Sequence, residues 1–184
     1  MKISANDWKN YTKKLSKLNE TSGELIEKWI EQHGLDDPKA LTDYAFLVVQ
    51  KYGNGSAALS ASMYDIIAEM QGKFFAPAEM AALPEYGDVA KSIYGTLKMS
   101  QNSSDIGGAV SRLVKQVGCD TTLQNAKRDR AQFAWIPVGD TCAFCLTLAS
   151  QGWQDISKKA LRNGHAEHIH SNCDCTYAVR FGDD

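Results

Sequence analysis

The stretches Trp135–Trp153, WIPVGDTCAFCLTLASQGW, and His165–Phe181, HAEHIHSNCDCTYAVRF, decide how this chain is read. Four of the five cysteines and three of the four histidines fall between Cys142 and Cys175. They form a CxxC (Cys142, Cys145), a histidine cluster (His165, His168, His170) and a CxC (Cys173, Cys175). Two close-spaced donor pairs separated by a loop are a usual way to build a closed tetrahedral zinc site, because each pair presents two donors from one tight turn. The spacing therefore predicts a structural Zn2+. Its ligands come from Cys142 and Cys145 with His170 and Cys175. Cys173 is the rival for the fourth place and His168 the alternative to His170, and His165 reads as a surface residue. A disulfide framework fits less well: the cysteines are bunched and interleaved with histidines, and Cys173 and Cys175 are too close to bridge each other without strain.

Catalysis at such a metal would need an open coordination position and a nearby acid–base group. Glu167 lies beside the histidines, but His165 and His168 are three apart and no HExxH occurs. The order H-x-E then P-C-x-x-C of the zinc deaminases is also absent. CAFC lacks the strand-then-long-helix setting of a thioredoxin motif. A non-enzymatic, closed site is the expectation. Trp135 and Trp153 flank the first cysteine pair and are expected to wall it from water. Cys119 lies outside the group and reads as a small buried apolar residue.

Before this segment the chain reads as helix. Trp8, Tyr11, Leu15 and Leu18 make an apolar stripe with lysines beside it. Thr21-Ser-Gly-Glu24 reads as a break with a capping box, Gly34 as a stop, and Asp37-Pro38 as N-cap and first-turn proline. Tyr52-Gly-Asn-Gly-Ser56 reads as a turn, followed by an alanine-rich helix to about 71. Pro77 and Pro84 suggest a loop with a short helical turn between them. Helix returns from about 85 to 99, 104 to 117 and 121 to 132, so residues 1–132 read as six or seven short helices. From Phe133 the pattern changes: strands are expected over 133–138 and 176–181, helical turns over 145–150 and 157–161. The expected fold is mainly α: a multi-helix body (1–132) with a small C-terminal α+β zinc-stapled module (133–184).

The composition, 43% hydrophobic and 23% charged, is that of a folded protein, and neither a secretory signal nor a membrane span is evident. A net charge of -2 supplies no global attraction to nucleic acid. Arg112, Lys115, Lys127, Arg128 and Arg130 nonetheless form a basic region that could contact phosphates if it lay on one face, and a solvated helix surface explains it equally well.

The motif-bearing segment, over about residues 126–181, resembles the C-terminal signature of tailed-phage minor head proteins. These are the head-morphogenesis proteins related to the Mu F protein, in particular the VG15-like minor capsid group. The resemblance places Cys142 and Cys145 as the CxxC, Gly139 as the turn glycine, His170 (or His168) as the histidine, and Cys173 and Cys175 as the closing pair. It is thin over the helical part, and the chain is short and acidic for the family. It implies a virion protein of the head interior or head–tail vertex, present in the host cytoplasm during assembly. Capsid or portal proteins would be its partners, with packaged DNA a further candidate, and neither a membrane nor a small-molecule substrate is implied. Its role would be in head assembly, genome packaging or delivery. The chain ends soon after Phe181, so no appended toxin or enzyme domain is expected.

Overall fold

Glycine and serine inside an apolar helical pattern either end the helix or let another helix come close, and in this molecule they do the second. The computed structural model describes residues 4–138, 143–157 and 175–182. Helix α1 (Ala5–His33) is capped by Ser4, whose side chain accepts from the Asp7 amide, and ends at Gly34 with φ 75°. Helix α2 (Pro38–Met70) starts as expected: the Asp37 side chain accepts from the Ala40 amide and Pro38 occupies the first turn. Helix α3 spans Tyr86–Met99 and α4 spans Ser103–Arg128, the latter capped by Asn102.

The six or seven short helices expected over residues 1–132 are thus four among the described residues there. The breaks at Thr21–Glu24, at Tyr52–Ser56 and before Thr121 do not occur. At the α1–α4 crossing, a Cβ on Gly107 would lie 2.9 Å from the Gly23 carbonyl oxygen, so the two backbones touch. Where α2 crosses α4, a Cβ on Gly118 would overlap Ser56 Oγ outright and come within 2.9 Å of Ser60 Oγ. Gly53 meets Val117 and Leu83 in the same way. Each interior glycine costs a helix about 1 kcal/mol. Here that cost is offset by packing that a larger residue would prevent. Ile26, Leu41, Val49, Val89, Ile93, Ile106, Val110 and Val114 form the core that these crossings enclose.

The loop expected around Pro77 and Pro84 is present, but no helical turn forms between the two prolines. Side chains of the neighbouring helices take up the segment's backbone groups instead. Ala78 N donates to Asp65 Oδ1 (2.8 Å), Glu79 N to Asn125 Oδ1 (3.0 Å) and Ala81 N to Thr121 Oγ1 (3.0 Å). Asn125 and Gln124 return bonds to the Glu79 carbonyl, and Arg128 donates to the carbonyls of Ala76 and Pro77. A segment whose donors and acceptors are satisfied from outside has no need of its own helix.

The chain then builds a three-stranded antiparallel sheet in the order β2-β1-β3, with β1 at Gln132–Ile136, β2 at Gln154–Asp155 and β3 at Thr176–Arg180. A short helix, α5 (Ala143–Ala149), follows β1, and Gly152 (φ 65°) turns the chain into β2. Tyr177, Val179 and Phe181 are buried, as their alternation predicts, while Arg180 is exposed. The expected helix over 157–161 lies, beyond Ser157, outside the described residues. The sheet packs on the helices: Val179 and Phe181 join Tyr11, Tyr64, Ile67 and Ala126 in one cluster. The molecule is a mainly α, multi-helix body carrying a small C-terminal α+β module.

Candidate metal centre

Cys145 belongs to α5 and Cys175 immediately precedes β3, thirty positions later. Tertiary folding buries both, at 1% and 2% exposure, in one cluster with Phe133, Trp135, Leu148 and Tyr177. The walls are aromatic: the Trp135 and Tyr177 rings stand 4.6 Å apart at 70°, and Phe133 meets Tyr177 edge-on at 5.5 Å. One member of each cysteine pair is therefore brought to the same sheltered place, in dry surroundings that suit a closed thiolate site. Cys142, Cys173, His165, His168 and His170 lie outside the described residues. Among the described residues no group of three or more potential ligands assembles.

Cys119 of α4 joins this cluster together with Leu123. It is buried, as expected, but in contact with the motif segment from which its sequence position seemed remote. The signal was present in the four-residue spacing to Leu123, which puts both on one helix face. Trp153 is not a member of the cluster. It is 38% exposed, and the Arg180 guanidinium lies over its ring at 5.0 Å, so of the two flanking tryptophans only Trp135 shares the cluster of Cys145 and Cys175.

The fold gives the basic residues different surroundings. Lys115 is buried at 7% exposure and faces a small cavity shared with Asn19 of α1, Ser56 of α2 and Cys175. Arg112 reaches across to Ser92 Oγ on α3 at 3.5 Å. Arg128 forks onto both carboxylate oxygens of Asp129 (2.7 and 2.8 Å) while holding the 76–77 carbonyls. Lys127 and Arg130 are exposed, Arg130 with φ 54° just past the helix end. The five residues are not presented together on one open face. Asp129 also accepts from the Tyr64 hydroxyl at 2.9 Å. Burial, and then this bond, push the Tyr64 phenol well above the ordinary tyrosine range. Burial likewise pushes Tyr11 up to about 12, although its hydroxyl contact with Ser60 Oγ (3.3 Å) acts in the opposite direction.

A four-helix body joined to a small sheet module that buries cysteines from two separate motifs is the architecture to be placed among known proteins. The family model described as VG15 protein matches residues 2–184, so the chain belongs to that family. The match extends over the helical part as well as the motif segment on which the resemblance was strongest. No curated protein and no solved structure matches. Among the described residues, no helix is long and apolar enough to cross a membrane.

Proposed function

We propose that this chain is a non-enzymatic minor head protein of a tailed phage. In this role it works with capsid or portal subunits, at the head interior or head–tail vertex, in head assembly or in genome packaging or delivery. Residues 133–184 form a unit stapled by structural zinc, with Cys142 and Cys145 on one side and two of His170, Cys173 and Cys175 on the other. The observation that carries the zinc reading is the burial of Cys145 and Cys175, from separate motifs, in one aromatic-walled cluster. Family membership supports the virion role. When bound, the ion would supply a cross-link and no reaction step. The protein's own contribution is to hold thiol donors away from water behind Trp135 and Tyr177.

Elemental analysis of freshly purified, reduced protein tests the zinc reading, with about one equivalent of zinc expected per chain. Less than about half an equivalent, or thiols that remain freely titratable in the folded state, would sink it. The virion role predicts co-purification with portal or capsid subunits at low copy number, and absence from purified particles would remove it.

A further inference from the structure

An apolar concavity next to the sheet module is a trough of about 520 Å³, within the range of roughly 300–1,000 Å³ typical of ligand sites. Trp8 of α1 and Ile67 and Met70 of α2 line one side, and Ile136, Ala178 and Trp153 of the module line the other. Among the described residues, Arg180 is the only charged one lining it. Its Nε donates to the neutral Gln132 Oε1 at 2.7 Å and its guanidinium covers the Trp153 ring. No carboxylate among the described residues lies within ion-pairing distance of it. The trough therefore offers apolar walls and one cation whose partners among the described residues are uncharged.

The start of α1, which also lines the trough, does not duplicate that charge, because Asp7 is hydrogen-bonded to the capping Ser4 there. An added β-strand is also a poor fit. The Gln71 side chain already donates to the Val179 carbonyl (3.5 Å) and accepts from the Phe181 amide (3.0 Å), backbone groups an incoming strand would use. Nucleic acid would need several cations and finds one. Close by, Phe74 is 91% exposed and Phe75, 40% exposed, packs on Phe181, which extends the apolar surface beyond the trough.

We infer that this trough docks an apolar peptide segment of a partner protein that carries one carboxylate, with its apolar side chains entering between Trp8 and Trp153 and its carboxylate pairing with Arg180. A guanidinium partly screened by an indole and flanked by apolar walls binds a carboxylate more strongly than an open surface arginine does. The inference concerns a surface separate from the cysteine cluster, so it stands or falls independently of zinc.

The test is selection of a displayed twelve-residue peptide library on the full-length, metal-replete protein. NMR titration of the best peptide and its Glu→Gln (or Asp→Asn) isostere follows, read at the indole N–H signals of Trp8 and Trp153. The expected result is enrichment of apolar peptides with one acidic residue, saturable shifts of both indoles, and roughly tenfold weaker binding of the isostere. Arg180→Gln should bring the two peptides to equal affinity. Enrichment of neutral or basic peptides, indoles that do not shift, or an isostere difference that survives Arg180→Gln would each overturn the inference. So would sedimentation showing that a second copy of the chain covers the same indoles in the absence of peptide.

Discussion

The helical body and the C-terminal module are held together by different means. In the body, α1 and α2 each meet α4 at points where side chains are nearly absent: Gly23 against Gly107, and Gly118 against Ser56 and Ser60. Close approach there lets a long aliphatic core close over many turns. In the module, the strands are five, two and five residues long and the helix seven. Elements that short do not stand alone in water. They lean on α4 through Cys119 and Leu123, on α1 and α2 through Tyr11 and Tyr64, and on their own buried aromatics and thiols. The contrast teaches that the body carries its stability in its helix crossings, whereas the module draws on its neighbours and, on our reading, on a metal.

Cys145→Ser should break this contrast most severely, because structural zinc supplies on the order of 10 kcal/mol of apparent folding free energy in small sites. Loss of metal should be accompanied by fast amide exchange over 176–180, while the interiors of α2 and α4 remain protected. Uniform loss of protection across both regions would show that the body depends on the module as much as the reverse. Next is Gly118→Val, whose new methyl groups would strike Ser56 at the α2–α4 crossing. A global destabilisation of about 3 kcal/mol by urea denaturation is expected. Adding Ser56→Gly should return about 1 kcal/mol or more, the coupling of two residues in contact.

Arg128→Met sharpens the picture at the segment between the two proline-marked positions. Removing the donors to Ala76 and Pro77 should cost about 1–2 kcal/mol and speed exchange at the amides of Ala78, Glu79 and Ala81 before any other region responds. The smallest effect is spectroscopic. Tyr11, pushed up to about 12 by burial, should ionise later than an ordinary tyrosine in an absorbance titration, and Tyr11→Phe should remove that late step. Its folded value lies above its unfolded one. The associated stability is therefore complete below about pH 10 and is lost as pH rises through about 12.

Much of this was legible in the chain. Asp37-Pro38 and Gly34 mark true helix ends because capping is local chemistry that needs no distant partner. The alternation Tyr177, Val179, Phe181 marks a half-buried strand for the same local reason. Gly23, Gly53 and Gly118 were misleading. A glycine that ends a helix and one that admits another helix look alike until the facing residue, 84 positions away in the case of Gly23 and Gly107, is known. The segment after α2 was legible as a loop from Pro77 and Pro84, but its path was not, because the groups that fix it, Asp65, Thr121, Asn125 and Arg128, come from the helices around it.

The sequence by itself determined the helical class of the body, its true caps, the change of character at the start of the sheet, and the pairing of cysteines into two close-spaced motifs. Only the tertiary structure decided that the small residues join helices instead of ending them, that Cys119 and Cys175 share a cluster, and that Lys115 is buried while Lys127 and Arg130 stay exposed. The physical reason is range. Capping, alternation and ligand spacing act within a few residues, whereas close approach and burial depend on what the fold brings from distant parts of the chain.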